Sequence, residues 1–111
     1  MDNSPVAKSM LIDFEKWICQ TCKLLLKPTN TYTIERIFSR DNNDFYCLKV
    51  DFDGKKYVAR ITLWDDKSVY FEAIDFDTEK NFVNEHIPFI SPDELHKKTL
   101  QFIRHLVDHE K

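Results

Sequence analysis

Residues 46–63 read YCLKVDFDGKKYVARITL, and this stretch decides the fold. Apolar residues alternate with polar ones on both sides of Asp53-Gly54, a dipeptide that favours a two-residue type I′ turn between antiparallel strands. A loop closed there pairs Phe52 with Lys55, Val50 with Tyr57, Leu48 with Ala59 and Tyr46 with Ile61, so mainly apolar positions share one face. The opposite face carries Phe45, Cys47, Lys49, Asp51, Lys56, Val58, Arg60, Thr62 and Trp64. That mixture is too polar for a core and too aromatic for an ordinary wetted surface, which makes it the candidate functional face.

Outward from the hairpin, the flanking patterns complete the domain. Leu11, Phe14, Ile18, Cys22 and Leu25 recur at helical spacing, with Trp17 and Leu24 widening the stripe. This helix starts after Ser4 with Pro5 at its first position, or after Ser9, and Pro28 to Asn30 form its exit. Tyr32 to Ser39 is a β-branched and aromatic run whose broken alternation predicts a bulge or an edge strand, and Arg40 to Asp44 is a polar turn. Asp65 to Lys67 make a second turn, and Val69 to Asp77 form a fourth strand. A three-residue loop pairs Leu63 with Val69, Ile61 with Phe71 and Ala59 with Ala73, and sets Arg60 beside Glu72. Thr78 to Ile90 reads as a packed connector, and Ser91-Pro92-Asp93-Glu94 as a capping box opening a second helix. Leu95, Thr99, Phe102, Ile103, Leu106 and Val107 give that helix its buried stripe, leaving His96, Lys97, Lys98 and Arg104 among its wetted residues. The expected fold is α+β over one domain spanning 1–111: a four-stranded antiparallel meander with N- and C-terminal helices packed on one face, in the order α-β-β-β-β-α.

Composition narrows the function classes. The chain has 111 residues, 16 basic and 19 acidic, for a formal net charge of −3, which argues against direct nucleic-acid binding and for a basic partner. No apolar run is long enough to cross a bilayer, and the opening MDNSPVAKS lacks the features of a signal peptide, so no membrane association is expected and the expected location is cytoplasmic. Three cysteines do not suggest a disulfide framework, and one glycine leaves no phosphate-cradling loop.

Motifs that carry chemistry elsewhere lack their context here. Cys19-Gln20-Thr21-Cys22 has redox or zinc spacing but falls inside an amphipathic helix, so the thiols are read as buried packing. His105 and His109 share a helical face near the chain's end, where histidine suits the negative pole of the helix dipole. Asp75, Asp77 and Glu79 alternate like the start of a calcium loop without its glycine and terminal glutamate. No catalytic residue, metal site or cofactor is expected, and the chain is read as a binding module, not an enzyme. The informative segment is 65–85, with seven acidic and two basic residues interleaved with aromatics. Phe45, Trp64, Asp65, Asp66, Tyr70, Glu72, Asp75, Phe76 and Asp77 are therefore the candidate partner-binding residues.

Three stretches, WICQTCKLLL (17–26), LWDDKSVYFEAIDFDTEKNF (63–82) and SPDELHKKTLQFIRHL (91–106), give the chain a further likeness. With its size, acidity and helix–meander–helix order, the chain resembles the small immunity proteins of bacterial toxin systems, including contact-dependent growth inhibition. The resemblance implies an antitoxin that binds one cognate toxin, often a basic nuclease domain and in some systems a tRNA-cleaving one, and occludes its active or substrate-binding site. It also implies a larger complex in systems whose toxin uses an elongation factor. The alternative reading is an adaptor or secretion-chaperone-like domain that forms a homodimer through the open sheet face.

Overall fold

The computed structural model describes residues 5–27 and 30–110, with side chains from residue 9. The apolar stripe at helical spacing produces α1 (Pro5–Leu25), whose Leu11, Phe14, Ile18 and Cys22 are buried. Ser4, Pro28 and Thr29, expected at the boundaries of this helix, lie outside the described residues. Five strands follow in sequence order: β1 (Thr31–Phe38), β2 (Phe45–Asp53), β3 (Tyr57–Trp64), β4 (Ser68–Asp75) and β5 (Asn81–Pro88). They form one antiparallel sheet ordered β1-β2-β3-β4-β5, and α2 (Pro92–His109) closes the chain.

The expected four strands are thus five, because the supposed connector pairs with β4. Val83, Glu85 and Ile87 alternate with Asn84, His86 and Pro88, but a register shift beside Ala73 and Ile74 sets Phe82 next to Val83 and hides the period. One face of this edge strand is also polar, which removes the apolar signal on that side.

From Cys47 onward the central hairpin has the expected faces in a different register, whereas Tyr46, expected on the core face, is 37% exposed. Phe52 pairs with Ala59, Val50 with Ile61 and Leu48 with Leu63, and the Gly54 amide donates to the Tyr57 carbonyl (3.0 Å), leaving Lys55 and Lys56 at the tip. Gly54 does not take a left-handed φ, so the type I′ turn at Asp53-Gly54 is not formed. The displacement is four residues, an even number, so each side chain keeps its face. The observed register replaces Lys55 opposite Phe52 with Ala59 and brings Leu63 opposite Leu48, which puts more apolar surface in the core. The third hairpin follows expectation, with Leu63 opposite Val69, Ile61 opposite Phe71 and Arg60 opposite Glu72.

Both helices cover the same face of the sheet. Glu15 of α1 holds Arg36 of β1 (2.7 Å), and the Tyr32 hydroxyl donates to the Cys19 carbonyl (3.4 Å). Phe102 of α2 lies against Phe71 and Phe52, at ring-centroid distances of 5.0 and 6.2 Å. Trp17 stacks on His96 at 4.1 Å where the helices meet, so His96 is not the wetted residue expected. Ser91 caps α2 by accepting from the Glu94 amide (3.2 Å), while Glu94 accepts from the Ile90 amide (2.7 Å). At the other end, Glu110 Oε1 accepts from the Lys55 and Lys56 amides (2.6 and 3.3 Å), and His109 Nε2 meets Asp75 Oδ2 at 2.6 Å. The C-terminus of α2 therefore ties down the β2–β3 turn and the end of β4.

Candidate functional site

The strand registers lay out the uncovered face in cross-strand rows. Nearest the β2–β3 turn lie Thr31, Asp53, Val58 and Ile74, and next come Thr33, Asp51, Arg60, Glu72 and Asn84. A third row holds Glu35, Lys49, Thr62, Tyr70 and His86, and the last holds Ile37, Cys47, Trp64, Ser68 and Pro88. The face has two chemically distinct halves. The Trp64 and His86 rings lie 5.3 Å apart and those of His86 and Tyr70 5.6 Å apart, and the Tyr70 hydroxyl donates to the Asn84 side-chain oxygen. Cys47 and Thr62 are buried in this aromatic half.

The other half is hollow. A concavity of about 430 Å³ opens on the first two rows. Arg60 Nε meets Asp51 Oδ1 there at 2.6 Å, and this pairing raises the guanidinium pKa further above its ordinary value. Val58 and Ile74 stand beside the pair at 37% and 39% exposure, and Phe76, beyond the end of β4, is 46% exposed.

Most of the sequence-derived site residues reach or border this face, and two do not. Trp64, Tyr70 and Glu72 lie on it, Asp65 and Asp66 occupy the β3–β4 turn at its aromatic end, and Phe76 and Asp77 follow β4 at the hollow end. Asp66 caps its turn by accepting from the Ser68 amide (3.1 Å) and hydroxyl (2.6 Å). Burial, and secondarily Asp66, push the Asp65 carboxyl above its usual range.

Phe45 is instead 6% exposed and belongs to the helix-side core. A shift between Ile37 and Phe38 breaks the alternation along β2, setting Phe45 against Phe38 (5.6 Å) and under Arg36 (5.3 Å). Asp75 pairs across the sheet with buried Tyr57 and turns toward α2, where it meets His109. Its other oxygen accepts from the Asp77 and Thr78 amides (2.9 Å each). The Thr78 amide, then His109, hold the Asp75 carboxyl below its usual range. Asp51, Val58 and Arg60 of the hollow were expected on the candidate face but not among its contact residues, and Asp53 and Ile74 of the hollow and His86 of the platform were also outside that set. The first five were visible by alternation once the hairpin faces were set, whereas His86 needed β5 to be recognised.

Cys22 of the cysteine pair has the wrong electrostatics for redox work. Cys22 is buried in the core, and burial, with Cys19 nearby, pushes its thiol up to about 12, opposite to the thiolate stabilisation that reactive cysteines need. No helix among the described residues is long and apolar enough to cross a membrane.

These features define a class: a small α+β domain whose sheet is sealed by two helices on one side and left uncovered on the other. Residues 12–105, from the second turn of α1 through all five strands to the last turns of α2, match the family model described as Immunity protein TriTu, and the chain belongs to that family. It is thereby placed among immunity proteins, which neutralise a toxin. Comparison with curated proteins finds no match.

Proposed function

We propose that this immunity protein neutralises its cognate toxin by binding it with the open sheet face, and that the toxin is a nuclease domain, of the tRNA-cleaving kind, whose active or substrate-binding site is occluded. The observation that carries this reading is the asymmetry of the sheet. One face is closed by α1 and α2, while the other presents a Trp64–His86–Tyr70 platform beside a charged hollow with exposed apolar walls. Aromatic anchors beside complementary charge are what a tight protein interface requires. Trp64, Tyr70, Glu72, Phe76 and Asp77, with Asp65 and Asp66 at the rim, are the proposed contacts. Acidity on the inhibitor suits a basic, nucleic-acid-binding partner.

The test is co-expression with the cognate toxin domain, followed by co-purification in moderate salt and a tRNA-cleavage assay. The expected result is a stable complex lacking cleavage activity, with an elongation factor retained if the toxin uses one. A toxin that binds but never cleaves nucleic acid overturns the nuclease assignment. A chain recovered only with copies of itself overturns toxin binding in favour of a dimeric adaptor.

A further inference from the structure

The hollow half of the open face has a more specific complement than the face as a whole. Three carboxylates, Asp51, Asp53 and Glu72, share it with one guanidinium, Arg60, and Asp51 is the one that Arg60 engages. Among the described residues, neither Asp53 nor Glu72 forms a close ion pair, although Glu72 stands opposite Arg60 and adds to the field on it. Beside them Val58 and Ile74 present apolar surface, and the volume of about 430 Å³ is ample for an entering side chain and its neighbour. The aromatic half differs: its third row carries Glu35 and Lys49 in register, one charge of each sign. Asp65 and Asp66 lie in the turn beyond that half, so among the strand positions of this face the excess of carboxylates over cations falls in the hollow.

We propose that this hollow is the socket for a lysine or arginine side chain of the toxin, drawn by Asp53 and Glu72, with an adjacent apolar residue of the toxin packing on Val58 and Ile74. The inference rests on toxin binding by the open face and names the chemistry of what enters it. Arg60, held by Asp51, keeps the hollow from being wholly anionic, so a cation is favoured without leaving several bare carboxylates side by side in the free protein.

Two measurements on the full chain test this. In the first, ¹⁵N-labelled protein is titrated with the blocked tripeptides acetyl-Ile-Arg-Ile-amide and acetyl-Ile-Glu-Ile-amide. The arginine peptide is expected to shift amides of residues 51–53, 58–60 and 72–74, and the glutamate peptide to leave them in place. Equal shifts with both peptides, or none with either, overturn the socket. In the second, association with the cognate toxin is measured for Asp53→Asn with Glu72→Gln, and for the charge-preserving Asp53→Glu with Glu72→Asp, with circular dichroism verifying the fold. Neutralisation is expected to slow association by about tenfold at low salt, with the gap closing at high salt, while the charge-preserving pair stays near wild type. If the toxin binds the neutralised variant as fast as wild type, the socket assignment falls and open-face binding stands. If the toxin binds no variant and not the wild type, the toxin-binding reading itself falls, and the socket with it.

Discussion

Gly54 is confined from two sides. A Cβ there would lie 2.6 Å from Tyr57 Cε2 and 2.8 Å from Cζ, and would collide with Glu110 Oε1. The buried Tyr57 ring cannot move freely, since Asn30 Nδ2 donates to its hydroxyl oxygen at 3.3 Å. Gly54→Ala is therefore expected to destabilise the protein by about 1–3 kcal/mol, the usual cost of forcing atoms into a packed site. Thermal denaturation checks this, and Glu110→Ala in the same chain should recover only part of the loss, because the tyrosine contact remains. The sequence signalled a special glycine here but attached it to turn geometry, because the close approach of Glu110 from the far end of the chain leaves no local pattern. His96 offers a second test at this scale. Burial against Trp17 holds its imidazole below the ordinary range, with Asp93 opposing the shift. A base whose folded pKa is depressed contributes stability that is fully present above its unfolded value of about 6.5 and is lost as pH falls through the folded one. His96→Phe keeps an aromatic ring on Trp17 without the proton, so the melting temperature of the variant should fall less than that of wild type between pH 7.5 and 5. Parallel curves would remove His96 from the account.

Among the elements, α2 binds the sheet together and shapes the site. Its first turn was legible in Ser91-Pro92-Asp93-Glu94, and its buried stripe in Leu95, Thr99, Phe102, Ile103 and Leu106. Its last turn was not, because the roles of His109 and Glu110 depend on where the β-turns arrive in space. Phe102→Ala removes a ring lodged against Phe52 and Phe71 and should cost about 3–5 kcal/mol in chemical denaturation. A loss below about 1 kcal/mol would mean that this helix is not seated as described. The strands divide in the same way. Faces within β2 from Cys47 on, and within β3 and β4, followed from alternation, and an even slip in register left them intact. Alternation failed where Phe45 and Phe82 adjoin register shifts and turn toward the helices, and this is why Phe45 was read onto the binding face and β5 was read as a connector.

At the scale of the molecule, the helices seal one side of the sheet and leave Trp64, Tyr70, His86 and the Arg60 hollow on the other. The chain's acidity was read from segment 65–85, but folding turns Asp75 toward α2 and places Asp51 and Asp53 of β2 beside Glu72. Charge on the open face is thus assembled from separate strands, which a local window of sequence does not reveal. An immunity protein that uses this face should depend on its aromatic anchors for the lifetime of the complex. The measurement that tests this most directly is the dissociation rate of the toxin complex for Trp64→Ala and Tyr70→Ala against Lys97→Ala and Arg104→Ala, the latter pair lying on α2. The account predicts dissociation faster by about tenfold or more for each open-face variant and within about twofold of wild type for the helix variants. Faster release from the helix variants, with Trp64→Ala and Tyr70→Ala unchanged and folded, would contradict it.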